Sequence, residues 1–510
     1  MNNKSGFKRS AGVLMPVSAL PSPYGIGCFS RDAEMFAEMA ADMGFSWWQI
    51  LPITILGAGN SPYSGYSTHA GNYLFINPAL LCMEGLITAD EAEEAKYRGQ
   101  PYKVDYDFAR ENMTRVLRLA FGRINDEVAE RIAEFEKKES YWLDDYALFM
   151  ALSDSCGSDW TKWEKALAFR EPAALEAARK EHKDGIAYYI FEQYEFYRQW
   201  HFVKEKINAR GIRIIGDLPF YVATQSVDVW THASEFMLGK DGRPSAVAGV
   251  PPDAFAERGQ VWGNCLYDFA AMKKNGYKWW RERITHCLEM YDALRLDHFR
   301  AFHNFFSIPA EDTDTGVNGH WEYGPGQELI DLIRSDNPDA LFIAEDLGLI
   351  DDECRAFIDG TGIPTMRVFQ FAFDGTQSVH LPYFYDRTNV AYSGTHDNNT
   401  LLGWLYEMNP DARDFALKYC GFTGPGWGSG GPQCASTKAI LRTISASSAV
   451  LAVFPVQDML GYGADTRMNI PGVAEGNWEY RLPYELMMTV DRDFFLDINN
   501  TYGRLGGSRT

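Results

Sequence analysis

Positive charge is scarce in this sequence. Its 48 Lys and Arg stand against 69 Asp and Glu, a formal net charge of −21 over 510 residues. Binding to a phosphate backbone needs basic surface, so this balance argues against unspecific partners among nucleic acids and anionic membranes. It places no constraint on neutral ligands. Paired cysteines are also missing. The eight cysteines lie at positions 28, 82, 156, 265, 287, 354, 420 and 434, no two closer than 14 residues. There is no Cys-x-x-Cys, which excludes a zinc knuckle and a thioredoxin-like pair. Such scatter in a large chain points to reduced thiols and a cytoplasmic protein. Long apolar runs are absent too: none approaches the roughly 18 residues that span a bilayer. The nearest imitation of a targeting segment is Lys4, Lys8 and Arg9 ahead of the apolar residues 11–20. Pro16 and Ser18 interrupt that run, and Pro21 and Pro23 stand where a small-residue cleavage site would be, so a buried strand is expected instead.

Several catalytic signatures are lacking. No P-loop, HExxH or G-x-S-x-G occurs. Gly25-x-Gly27-x-x-Ser30 imitates a dinucleotide fingerprint, but its third glycine is missing and two prolines precede the turn. His298, His396 and Asp397 suggest a His-Asp metal set, yet no second histidine stands at helical spacing. The expectation is therefore no metal and no cofactor. Nothing in the sequence specifies an oligomeric state.

What is present is ordinary globular material, 46% hydrophobic and 23% charged, with 14 Trp, 27 Tyr and 32 Phe. Length alone suggests roughly three domains at about 150 residues each, although one α/β barrel with insertions also reaches this size. The chain repeats one unit: an amphipathic helix, a Gly or Asn-Pro stop, a short apolar strand, and a polar residue at the strand end. Helices are expected after Ser30 (Phe36, Met39, Ala40 and Met43 on one face), over 188–208, over 277–291, over 328–334, over 351–358 and over 437–445. Strands are expected over 12–17, 45–51, 212–215, 293–297, 341–345, 365–371, 390–393 and 449–456. Eight alternating units predict a (β/α)8 TIM barrel, with a doubly wound open sheet as the alternative. Two stretches exceed barrel loops. Residues 52–186, between strands two and three, are charged and helical and predict an inserted, mainly helical subdomain. Residues 218–275, rich in Gly, Pro and aromatics, predict a substrate-binding loop region rather than a core element.

Barrel active sites lie at the C-terminal ends of the strands. Four carboxylates stand there: Asp217, Asp297, Glu345 and Asp397. Any one alone would pass for a helix cap or a solvated acid; four converging on one mouth do not. Arg295 lies two residues before Asp297, so both side chains share one strand face. A buried arginine there would keep a neighbouring carboxylate ionised, while a desolvated carboxyl beside it would rise in pKa. An ionised nucleophile beside a protonated acid is the requirement of retaining glycoside chemistry.

The strings Ala293-Leu294-Arg295-Leu296-Asp297-His298-Phe299-Arg300, Ile343-Ala344-Glu345-Asp346-Leu347-Gly348, Ser393-Gly394-Thr395-His396-Asp397-Asn398 and Gly216-Asp217-Leu218-Pro219-Phe220-Tyr221-Val222 resemble four short regions of the α-amylase clan. Ser61-Pro62-Tyr63-Ser64 and the loop from Ala248-Gly249-Val250-Pro251-Pro252-Asp253-Ala254-Phe255 to Gly259-Gln260-Val261-Trp262-Gly263-Asn264 narrow the resemblance to the 4-α-glucanotransferases, the amylomaltase or disproportionating-enzyme family (glycoside hydrolase family 77). The resemblance runs over residues 12–471 and departs at Cys265, where the family pattern usually has proline. It implies Asp297 as nucleophile, Glu345 as general acid/base, Asp397 as transition-state stabiliser and Arg295 as the residue that orients Asp297. It further implies that Asp217 and His396 hold donor hydroxyls, with His298 close by, and that Ser61, Tyr63, Gln260, Trp262 and Asn469 line sugar subsites. For Tyr63, ring stacking on a sugar is expected; for Trp262, loop packing weighs almost equally. The implied substrates are α-1,4-glucans and maltooligosaccharides. An α-1,4-glucan hydrolase of the same clan is the alternative, and a non-catalytic glucan binder a third class that would have no use for Arg295, Asp297 and Glu345 together.

Overall fold

The computed structural model describes residues 6–252, 257–373, 377–473 and 475–506. Its strands, in chain order, are β1 (Ser10–Leu14), β2 (Trp47–Gln49), β3 (Arg213–Leu218), β4 (Ala246–Val250), β5 (Gln260–Cys265), β6 (Ala293–Leu296), β7 (Asn304–Pro309), β8 (His320–Tyr323), β9 (Phe342–Ala344), β10 (Thr365–Val368), β11 (Asn389–Tyr392) and β12 (Leu451–Pro455). Eight of them close a parallel barrel in the order β1-β12-β11-β10-β9-β6-β3-β2. The fold is a (β/α)8 barrel, and the open-sheet alternative falls with its closure.

Each barrel strand sits where an apolar run predicts it; most are shorter, whereas β3 runs on to Leu218, beyond the expected 212–215. The expected strand 365–371 becomes a short 3-10 turn from Phe369 onward, and the apolar run after β1 becomes one at Val17–Ala19. Period-two alternation sorts the strand residues into two cores. Leu14, Ile215, Ala293, Ile343, Val390, Tyr392 and Val453 pack together as one buried cluster. Ala11, Val13, Ile214, Leu294, Phe342, Ala391 and Ala452 belong to a second, larger cluster that includes the helices. The first set fills the barrel; the second faces outward.

Helix boundaries follow local chemistry. The Ser30 side chain accepts from the Asp32 N–H and starts the helix Arg31–Asp42. A Cβ on Gly27 would collide with the Val17 carbonyl, so this glycine serves chain packing rather than a dinucleotide. Between β2 and β3 the chain forms helices that include Tyr106–Phe121 and Asp126–Cys156. Their buried residues, among them Val116, Leu117 and Phe149, join the same core as the barrel's outer face. The helix Lys183–Ala209 starts before residue 186 and therefore straddles the expected end of the insert.

Residues 218–275 are more ordered than a loop. They contribute β4 and β5 to a four-stranded antiparallel sheet of order β5-β4-β7-β8, whose other half follows β6. Both halves leave the C-terminal ends of neighbouring barrel strands, so the sheet stands over the barrel mouth. Asp253, Ala254 and Phe255 of the quoted loop lie outside the described residues. Among the described residues, no helix is long and apolar enough to cross a membrane.

Candidate active site

Strand register assembles the site. Asp217 of β3 pairs with Arg295 of β6, and Leu296 of β6 pairs with Ala344 of β9. Continuing that register by one residue sets Asp297 beside Glu345 at the mouth. Alternation from the interior residues Ile215, Ala293 and Ile343 turns Asp217, Arg295, Asp297 and Glu345 inward.

Arg295 is the hub. Its Nη1 donates to both oxygens of Asp217, at 2.7 and 2.8 Å, and to Asp297 Oδ1 at 2.8 Å. Its side chain is 3% exposed, that of Asp217 0%, and that of Asp297 27%. The guanidinium thus serves Asp217 as fully as Asp297, a pairing the sequence spacing does not reveal. Burial lowers the tendency of Arg295 to stay charged, but the carboxylates of Asp217 and Asp297 outweigh it and hold its pKa well above the ordinary value. For Asp217, burial together with the Asp297 charge outweighs Arg295 and raises the pKa.

Glu345 is fixed by two backbone donors. The His298 N–H reaches Oε2 at 2.7 Å, and the Leu347 N–H reaches Oε1 at 2.9 Å. Its carboxylate therefore lies against the peptide bond that follows Asp297. Burial raises its pKa to about 7, with Asp297 adding and Arg295 and the two N–H groups opposing. His298 makes this contact from the left-handed region, at φ 47° and ψ 50°.

A second network joins the first through Asp217. The Tyr63 hydroxyl donates to Asp217 Oδ2 at 2.8 Å and lies 3.4 Å from His396 Nδ1. The two rings stack at 5.0 Å and 19°. One face of Tyr63 is thus occupied by a protein ring, where sugar stacking was expected. His396 Nε2 lies 3.2 Å from Asp397 Oδ2, and Asn469 Nδ2 donates to Asp397 Oδ1 at 2.6 Å. Burial would lower the His396 pKa, but the Asp397 carboxylate outweighs it and raises it. Burial likewise opposes ionisation of Asp397, yet His396 and Asn469 carry its pKa well below the ordinary value.

The remaining predicted residues lie around this core. Ser61 Oγ accepts from the Tyr63 N–H at 3.2 Å and so shapes the turn that presents Tyr63. Trp262, 39% exposed, sets its ring edge-on to His298 at 5.0 Å and donates to Gln260 Oε1 at 3.2 Å. β5 therefore reaches the mouth. Three residues went unnoticed in the sequence. Trp478 packs against both Tyr63 and His396, each at 5.9 Å. Tyr221 packs against His298 at 5.9 Å. Arg467 donates to the Asp397 carbonyl at 2.8 Å. Tyr221 sits in a string already quoted and Arg467 two residues before Asn469; Trp478 has no signal beyond being aromatic. Among the described residues, no group of three or more His, Cys, Asp or Glu is arranged to hold a metal ion.

Known proteins match this chain along nearly its whole length. A family profile described as 4-alpha-glucanotransferase matches residues 15–487. The 4-alpha-glucanotransferase of Aquifex aeolicus is 38% identical over 501 residues, covering 97% of this chain and 99% of that protein. That of Thermus thermophilus is 39% identical over 489 residues, covering 94% and 96%. An amylomaltase from Streptococcus agalactiae, solved in complex with acarbose, superposes with a TM-score of 0.93 at 36% identity, covering 98% of this chain and 100% of that one. The chain belongs to the 4-alpha-glucanotransferase family, glycoside hydrolase family 77.

Proposed function

We propose that this enzyme moves a segment of an α-1,4-glucan to the 4-hydroxyl of an acceptor glucan or glucose by retaining double displacement. The observation that carries the role assignment is the state of the carboxylate oxygens. Both oxygens of Asp217 are engaged by Arg295, with Tyr63 adding to one, and both of Asp397 are engaged by His396 and Asn469. Both oxygens of Glu345 accept backbone N–H groups. Asp297 alone has one oxygen held, by Arg295, and a second without a hydrogen-bond partner among the described residues. An oriented carboxylate with one free oxygen is a nucleophile; a carboxyl raised to about 7 is a general acid near neutral pH.

In the first step Glu345 protonates the glycosidic oxygen while Asp297 attacks the anomeric carbon, and the leaving glucan departs from a covalent glucosyl-enzyme. Glu345, now ionised, takes the proton of the acceptor 4-hydroxyl, which attacks the same carbon and expels Asp297. Two inversions give net retention. Asp397 stabilises the cationic transition state, and Asp217 and His396 hold donor hydroxyls. Transfer requires an acceptor to outcompete water, and the sheet over the mouth with Gln260 and Trp262 supplies the surface that holds it and sheds water. Eight free cysteines suit a reducing, cytoplasmic setting.

Incubation with maltotriose tests the reading. Transfer gives glucose and longer maltodextrins with the number of reducing ends constant, and Asp297→Ala abolishes both products. A rising number of reducing ends would instead establish the hydrolase.

A further inference from the structure

The floor of the barrel, opposite the mouth, carries a second concave site. A cavity of about 490 Å³ opens there between Arg9, Arg387, Ala446, Ser447, Ser448 and Val450. These residues precede or adjoin the N-terminal ends of β1, β11 and β12. Arg9 donates through Nε to the Tyr502 carbonyl, through Nη1 to those of Ser447 and Ala449, and through Nη2 to that of Ser445. The fully buried Arg504 binds the same three carbonyls of Ser445, Ser447 and Ala449, and that of Ser10. Two guanidiniums therefore crowd one set of neutral acceptors.

Part of this charge is offset. Ser445 and Ser447 lie at the C-terminal end of the helix Ala435–Ala446, whose dipole supplies roughly −0.5 of a charge. Two arginines bring two full positive charges, and the exposed Arg387 across the cavity brings a third. Among the described residues, none of the three has a carboxylate within ion-pair distance. The adjacent Asp386 directs Oδ1 to the Thr388 N–H and hydroxyl. In a chain with an excess of 21 negative charges, Arg9 and Arg387 at this cavity, with the buried Arg504 sharing the carbonyls of Arg9, concentrate positive charge where an anion would be drawn. Burial and Arg387 lower the pKa of Arg9, and burial and Arg9 lower that of Arg504 to about 9, as expected where cations lack a counter-charge.

We propose that this cavity binds a small phosphate-bearing anion, bridged between Arg9 and Arg387. Among the described residues, Arg9 spends four of its five N–H donors on carbonyls and keeps one, Arg387 keeps its full fork, and Ser448 lines the same cavity. A dianionic phosphate matches the two facing cations and the fork geometry of arginine; a carboxylate would neutralise only one. The volume falls within the range of small-ligand pockets, about 300–1,000 Å³, with room for a hexose behind the phosphate. Neutral glucans have no charge to draw them there, so the site is independent of the mouth.

Isothermal titration calorimetry of the full chain, at ionic strength matched with chloride, tests this. The probes are inorganic phosphate and glucose 6-phosphate, applied to the wild type and to Arg387→Ala and Arg387→Glu. Because Arg387 is exposed and remote from the mouth, both variants are expected to fold and to keep normal transfer activity. Saturable binding of one equivalent is expected, weakened about tenfold or more by Arg387→Ala, the scale of a lost charge-assisted hydrogen bond, and abolished by Arg387→Glu. Tighter binding of the ester identifies a sugar phosphate as the ligand, and equal binding identifies free phosphate. No saturable binding of either probe, or an affinity unchanged in Arg387→Ala, would overturn the proposal.

Discussion

Replacing Glu345 by Gln separates what this residue contributes to chemistry from what it costs in stability. The folded enzyme holds the Glu345 carboxyl at about 7, against an ordinary value of 4.5. The sign follows from linkage. Between those two values the folded state binds more protons than the unfolded state, so stability falls as pH rises, being fully present below 4.5 and lost through 7. Across the whole window the loss is about 3 kcal/mol, and between pH 5 and pH 8 it is about 2–3 kcal/mol. Glutamine does not titrate, so Glu345→Gln removes that slope. It also introduces a fault, because both carboxylate oxygens accept backbone N–H groups and the amide nitrogen of Gln must face one of them. That mismatch costs about 1–3 kcal/mol, but equally at both pH values. The comparison is therefore a double difference: urea unfolding of both proteins at pH 5 and pH 8. The variant should gain about 2–3 kcal/mol on the wild type between them, while its transfer activity is lost. The wild-type kcat/KM should fall on the alkaline side with an apparent pKa near 7. An equal stability difference at both pH values would refute the raised pKa, and the assignment of Glu345 as the acid would lose its electrostatic basis.

Other consequences are as direct. Tyr63→Phe keeps the ring on His396 but removes the 2.8 Å bond to Asp217, a charge-assisted bond of about 1.5–3 kcal/mol, so kcat/KM for maltotriose should fall about 10- to 150-fold; wild-type kinetics would show that only the ring matters. Asn469→Ala frees Asp397 Oδ1 and should lower kcat about tenfold or more with little change in KM; a pure KM effect would make Asn469 a sugar ligand instead. Dialysis against a chelator should leave activity intact, and loss restored by a divalent ion would contradict the carboxylate mechanism.

How far the sequence carries depends on whether a feature is local. The barrel strands are visible because each is a short, largely buried and mostly apolar run next to a helix stop. Arg295 and Asp297 are visible as a pair because two residues along one strand share a face. The partnership of Arg295 with Asp217 is not visible, because it depends on the register between β3 and β6. The same is true of Tyr63 with Asp217, 154 residues apart, and of Asn469 with Asp397, 72 apart; family resemblance names these residues but not their contacts. The two outer strands of the sheet over the mouth escape for another reason. β8, His320–Tyr323, is largely exposed and shows no alternation of buried and exposed residues, and β5 opens on exposed positions. Strands that line an open surface lack the hydrophobic signal on which strand recognition rests.

His298 shows how local preference gives way to the site. A histidine at φ 47° occupies a region that costs a non-glycine residue on the order of 1–3 kcal/mol. The turn immediately follows Asp297, so relaxing the chain there would move the Asp297 carboxylate. What the conformation secures is specific: the His298 N–H meets Glu345 Oε2 at 2.7 Å, and its ring packs on both Trp262 and Tyr221. Glycine would relieve the backbone but remove the ring that packs on both Trp262 and Tyr221. An extended residue would fit the backbone elsewhere but withdraw the donor from Glu345. One strained residue thus couples Asp297, Glu345 and the sheet over the mouth, and a reading based on propensity alone would place strain and the candidate site at different positions when here they coincide.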